Sequence, residues 1–264
     1  MSAIFLSASI PIAGRGDFYK TASPFLIQCA VQEFLVCALG RRLIVWGGHP
    51  AITPMVWAAC ESLGVSYAKA VVLYQSHFFA DSYPEENALF KNTVETPAVD
   101  GDRQKSLEAM RRAMLSREDL TAAVFVGGME GIFEEHSTFR KFHPNASVLI
   151  VPAAGGAARD LARERGEWNE QTAEDLNFAR LFHRGLGIRA NEPRALVLTA
   201  RREIQVSSSG ASMRGQVRLP RPKAKSGIKK VKNRSQAMAI ELKGTRQPNT
   251  TRPPKKRRAV KRKK

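Results

Sequence analysis

At 264 residues and 43% hydrophobic content, the chain can bury at least one sizeable core, and no apolar run approaches the ~18 residues of a membrane span. The formal net charge of +18 is unevenly placed: 20 of the 42 Lys and Arg, but only Glu241 among the 24 acids, lie from Arg214 onward. The rest of the chain keeps 22 bases against 23 acids, which excludes strong basicity as a property of the folded body and assigns it to the tail.

The first predicted element is a largely buried strand over residues 3–9. Residues 10–23 follow as a loop broken by Pro11, Gly14 and Gly16. Residues 24–39 are predicted helical: Pro24 sits at the start, Phe25, Leu26, Cys29, Val31, Phe34 and Leu35 recur at mostly helical spacing, and Gly40 ends the run. A second strand is expected at 42–46, a helix at 54–63 stopped by Gly64, and a third strand at 70–74. Residues 75–100 are less regular and read as a long loop or lid, with Tyr83 placed to stack on a base. A helix is expected at 102–115 through Leu107, Met110, Met114 and Leu115. Then come a fourth strand at 122–126, a helix at 131–142, a fifth strand at 147–151 ended by Pro152, and closing helices at 157–165 and 173–186. The three cysteines, Cys29, Cys37 and Cys60, lie in or near apolar runs without metal-like spacing and read as buried small hydrophobes of a reducing compartment.

Short apolar strands alternating with helices predict an α/β fold, a Rossmann-like doubly wound parallel sheet with a disordered basic C-terminal tail. The expected organisation is a nucleotide-binding domain over 1–187, a linker with an extra strand at 195–199 over 188–213, and a Lys/Arg-rich tail over 214–264. Ligands of such sheets bind at the C-terminal ends of the strands. Two glycine turns fall at such ends: Trp46-Gly47-Gly48-His49-Pro50, and Val126-Gly127-Gly128-Met129-Glu130-Gly131 leading into Ile132-Phe133-Glu134-Glu135. A strand running through glycines into a helix exposes backbone N–H groups to an anion. Two such turns in one domain suggest a nucleotide-sized ligand.

These two turns, with the opening Ile4-Phe5-Leu6-Ser7-Ala8-Ser9-Ile10-Pro11, resemble the SLOG superfamily over residues 1–187. That superfamily includes the LOG phosphoribohydrolases, the DNA-processing DprA/Smf proteins and sensor domains of bacterial antiphage systems; the likeness is greatest to the sensor branch. The hydrolases carry Pro-Gly-Gly-x-Gly-Thr-x-x-Glu, whereas here Val126 replaces the proline, one residue is inserted before Gly131, and Ile132 stands at the threonine. Their Met-x-x-Arg-Lys motif meets only Met110-Arg111-Arg112, at different spacing. The resemblance therefore implies a binding framework more than hydrolase chemistry.

The expected ligand-binding residues are Ser7, Ser9, Gly47, Gly48, His49, Gly127, Gly128, Met129, Glu130, Gly131 and Glu134. Glu135 and Arg112 are the candidates for catalysis, with Arg111 beside the latter. Acids at the start of a helix are also expected from its dipole alone. His136 and His143 read as surface residues. No cofactor and no metal set is implied. In the tail, Lys255, Lys256, Arg257, Arg258, Lys261, Arg262, Lys263 and Lys264 are candidates for non-specific nucleic-acid contact through phosphate neutralisation. The first expectation is a cytoplasmic sensor of a nucleotide or ADP-ribose-like signal, forming a homo-oligomer and acting through a separate effector chain. The alternatives are a nucleoside monophosphate phosphoribohydrolase and a DprA-like nucleic-acid-binding protein.

Overall fold

The computed structural model describes residues 2–194. The extra strand expected at 195–199 and the whole basic tail lie outside the described residues.

Six parallel strands form one sheet in the order β4-β3-β2-β1-β5-β6. They are β1 (Ala3–Ser9), β2 (Leu43–Trp46), β3 (Val71–Ser76), β4 (Asn92–Thr96), β5 (Leu120–Gly127) and β6 (Ser147–Val151). The longer helices are α1 (Pro24–Ala38), α2 (Thr53–Leu63), α3 (Arg103–Leu115), α4 (Gly131–Phe142) and α5 (Gly156–Glu164), followed by α6 (Glu170–Glu174) and α7 (Phe178–Gly185). Among the described residues, no helix is long and apolar enough to cross a membrane.

Alternation along the strands builds two cores, one on each face. On β1, Ile4, Leu6 and Ala8 join the core that α1, α2 and α7 cover, whereas Ala3 and Phe5 join the core of α3, α4 and α5. Phe5 lies parallel to Phe139 of α4 with ring centroids 6.4 Å apart. The expected doubly wound sheet is thus present.

Two elements differ from expectation. The expected lid contains a strand, β4, whose first four residues are exposed; an edge strand spelled Asn-Thr-Val-Glu-Thr has no apolar run to announce it. The last predicted helix is broken at residues 175–177, where Asp175 Oδ1 accepts from the Asn177 N–H at 2.9 Å and Asn177 caps the Arg180 N–H at 3.0 Å.

The chain remains packed beyond Gly187. Ile188 is buried, and Arg41 and Arg194 both donate to the terminal carbonyls of α1: Arg41 Nη1 to Cys37 O at 2.7 Å, and Arg194 Nη2 to Val36 O at 2.6 Å. Two guanidinium groups thereby satisfy carbonyls that a helix end leaves without partners. This anchor lies at the end of the sheet where strands begin, away from the glycine turns.

Candidate functional site

The strand order turns around between β1 and β5. From β1 the chain builds outward through β2, β3 and β4, then returns to lay β5 on the other side of β1. At such a switch point the loops diverge and leave a crevice above the strand ends. A cleft of about 560 Å³ opens there, within the size range of small-molecule pockets.

Three elements converge on its floor. β1 pairs with β5 so that Ser9 stands beside Gly127, which brings Ser7 under the second turn of α4. Ser7 Oγ donates to Glu135 Oε2 at 2.5 Å. From α3, Arg111 Nε donates to Glu135 Oε1 at 3.1 Å, and Arg111 Nη1 pairs with Glu134. The Arg111 and Glu135 side chains are only 12% and 17% exposed, so their attraction is weakly screened; Glu134, at 49%, reaches solvent. Gln104 Nε2 also donates to Glu134 Oε1 at 3.2 Å. A Cβ on Gly131 would collide with Arg111 Nη2, so glycine is what lets the guanidinium lie over the start of α4.

Of the residues singled out in the sequence, Ser7, Ser9, Gly47, Gly48, His49, Met129, Glu130, Gly131, Glu134 and Glu135 line the cleft. Gly127 and Gly128 do not. They hold positive φ of 62° and 80° and shape the turn beneath: the Gly128 N–H donates to Ser9 O at 2.8 Å, and a Cβ on Gly127 would lie 2.5 Å from Ile27 Cδ1. The N–H groups of Met129, Glu130 and Gly131 follow, and among the described residues none of the three has a backbone acceptor. Arg112 is exposed and points away from the cleft, where its neighbour Arg111 takes part instead.

Gly48 has a packing role. Its Cβ would fall on the side-chain amide of Gln75, 2.8 Å from Cδ. That buried amide donates to Tyr74 O at 2.9 Å and Gly47 O at 3.1 Å, stapling the β2–α2 turn to β3. Sequence reading did not single out Gln75, Ser76, Arg15, Arg103 or Gln104, all of which border the cleft. For Gln104 and Arg111 a signal existed: Gln104, Leu107 and Arg111 are spaced three and four apart, on one side of α3.

His49 lines the cleft and its Nδ1 accepts from the Ala51 N–H at 3.2 Å. Burial, then the charge of Arg15, lowers its pKa. His136, expected at the surface, is instead buried edge-on against Phe125, and burial followed by Arg165 and Arg140 lowers its pKa too. His143 is half-buried, its Nε2 2.8 Å from Leu115 O. A histidine pKa below its unfolded value of about 6.5 contributes stability that is complete above that pH and is lost as pH falls toward the folded value. The urea midpoint is therefore expected to drop between pH 7 and pH 5, and His136→Gln, which cannot titrate, to shrink the drop; an unchanged drop would place its cause elsewhere.

Among the described residues, no group of three His, Cys, Asp or Glu could hold a metal ion. A sequence model of the SLOG cluster3 family matches residues 17–186, well over half of the chain and nearly all of the α/β body. No curated protein matches the chain at a significant level of sequence similarity. The extent of that match, on a Rossmann-like sheet with its cleft at the switch point, makes the chain a member of the SLOG cluster3 family and so of the SLOG superfamily.

Proposed function

We propose that this protein binds and senses a nucleotide-derived signal of the ADP-ribose type. Membership of the SLOG superfamily points to nucleotide-related function. The observation that carries the finer reading is the pairing of two unlike ends in one cleft. The unpartnered amides before α4 and the Arg111 guanidinium suit a phosphate, and the Glu135 carboxylate beside them suits ribose hydroxyls. Sensing is favoured over turnover because Arg111 is engaged by Glu134 and Glu135 together, and because Ile132 offers no hydroxyl where the hydrolases have one. In this reading the protein serves a bacterial antiphage or stress response, and a separate effector chain reads the bound state.

The second reading is N-glycosidic cleavage of a nucleoside monophosphate. It is favoured by one fact: an Arg and a Glu meet at 3.1 Å in the cleft that residues of both glycine turns line. Glu135 would then stabilise an oxocarbenium-like sugar.

Thermal melts of the full chain at high salt, where tail contacts are screened, test both readings. A hundredfold excess over Kd of the right ligand adds about 2.7 kcal/mol, a rise of roughly 5–10 °C. A shift with ADP-ribose or related compounds and no free base in the same samples supports sensing. Release of free base from AMP supports the hydrolase, and no shift across a broad nucleotide panel sinks both.

A further inference from the structure

The charged lining of the cleft is three arginines and three glutamates: Arg15, Arg103 and Arg111 against Glu130, Glu134 and Glu135. These charges are unevenly committed. Arg111 is held by Glu134 and Glu135 together, so that cluster keeps an excess negative charge. Arg103 lies over the Phe79 ring, 5.8 Å from its centroid. Arg15 comes from the loop between β1 and α1. Among the described residues its one ion pair is with Glu130, at 3.9 Å, beyond hydrogen-bond reach. The two side chains are 44% and 54% exposed, and a pair this open contributes little.

The Arg15 guanidinium stands between the two glycine turns. Its partner Glu130 belongs to the turn after β5, and its charge, second to burial, lowers the pKa of His49 in the turn after β2. The loop leaves it room to move. Residues 12–17 are exposed, and Arg15 is flanked by Gly14 at φ 86° and Gly16 at φ 71°. A Cβ at Gly14 would meet no atom within 4 Å, whereas one at Gly16 would lie 3.2 Å from Glu130 Oε1. An anion entering a cleft with three carboxylates is repelled unless a cation comes to it. Arg15 is suited to that part, because turning toward a ligand costs it only the loose contact with Glu130.

We propose that Arg15 is a phosphate clamp of the cleft, which leaves Glu130 and closes on a phosphate of the bound nucleotide. A guanidinium offers phosphate two parallel N–H donors, and Glu130 is open enough to stay hydrated when the guanidinium leaves. Arg111 meets the ligand from α3, and Arg15 supplies the positive charge that Arg111, shared between two carboxylates, lacks. This assignment rests on the nucleotide-binding reading above and makes the phosphate the feature by which the ligand is told from its nucleoside. Arg15 acts in binding and takes no part in bond cleavage.

The test compares nucleotides with their nucleosides. Affinities of the full chain at high salt are measured for AMP, GMP, CMP, UMP, ADP-ribose and the corresponding nucleosides. At least one phosphate-bearing compound is expected to bind about tenfold or more tighter than its nucleoside. Arg15→Ala is expected to cut that compound's affinity about tenfold and leave the nucleoside within about twofold. Lys20→Ala is the control: it removes the same charge from the same loop, but Lys20 is paired with Asp17 and does not line the cleft, so both affinities should stay within about twofold. Equal losses in the two variants would reduce Arg15 to general attraction and overturn the proposal, as would an equal loss for nucleotide and nucleoside, or no loss at all. Where the nucleoside binds too weakly to measure, the comparison with Lys20→Ala decides. Should Arg15→Ala fail to fold, trypsin cleavage of the wild type after Arg15 decides: saturating nucleotide should slow it severalfold, and an unchanged rate overturns the clamp. Equal affinity with and without phosphate sinks this inference and leaves the cleft reading intact. Binding of none of the compounds removes the cleft reading and this inference with it.

Discussion

Gly155→Ala is expected to cost about 2–6 kcal/mol, out of the 5–15 kcal/mol that a domain has in total. Gly155 lies between β6 and α5 at φ 74°, ψ −157°, a region closed to residues with a side chain. A Cβ there would fall on the Thr21 carbonyl, 2.6 Å from its carbon and 2.8 Å from Ala22 Cα. Both are backbone atoms and cannot swing aside. They are also tied down: Ser23 N–H donates to Ala154 O at 3.1 Å, Gly156 N–H to Thr21 Oγ1 at 3.1 Å, and Ala157 N–H to Gly128 O at 3.0 Å. The Gly155–Gly156 turn therefore locks the end of the β1–α1 loop and the β5–α4 turn together directly behind the cleft. Urea unfolding should show a lower midpoint at unchanged slope. Gly166→Ala is the control. It has φ 70° with no atom within 4 Å of the added Cβ, so only conformational strain of about 1–2 kcal/mol applies. Equal losses in the two variants would show that the close approach to Thr21 contributes nothing.

That turn also shows where sequence reading stops. Pro152-Ala-Ala-Gly-Gly reads as the end of a strand, and nothing local announces that its partner is Thr21, more than a hundred residues earlier. The sheet itself was legible, because β1, β2, β3, β5 and β6 are apolar runs cut by Gly or Pro, and that period is a local property. β4 was not, since an exposed edge strand has no core to encode. The glycine turns were legible as turns but not in their division of labour. Gly127 is glycine for the Ile27 side chain and the Ser9 carbonyl, Gly128 for the Ile132 side chain of the adjoining helix, Gly48 for the Gln75 amide, and Gly131 for the Arg111 guanidinium. All of these neighbours but Ile132 come from distant elements. The choice between Arg111 and Arg112 depended on the rotational phase of α3. The stripe of Leu107, Met110 and Met114 sets that phase, and Arg111 flanks it, whereas Arg112 lies a further 100° toward solvent.

Arg111 and Glu135 are expected to show opposite behaviour in stability and in binding. Arg111→Ala leaves the Glu135 carboxylate largely buried with only the Ser7 hydroxyl against it, and Glu135→Ala leaves the guanidinium with Glu134 alone. Each single change should cost about 1.5–3 kcal/mol, because a mostly buried charge loses its partner. The double variant strands neither charge, so it should be more stable than the sum of the two losses by about 1–3 kcal/mol. For binding, no such recovery is expected. A phosphate at the start of α4 loses its guanidinium in Arg111→Ala, ribose loses its carboxylate in Glu135→Ala, and the double variant lacks both. Chemical unfolding of the four proteins supplies the first comparison, and titration with the ligand that shifts the wild-type melt supplies the second. A double variant that recovers stability while remaining unable to bind identifies the pair as part of the recognition surface. One that binds like the wild type makes the pair a brace between α3 and α4, and removes the observation on which both functional readings depend.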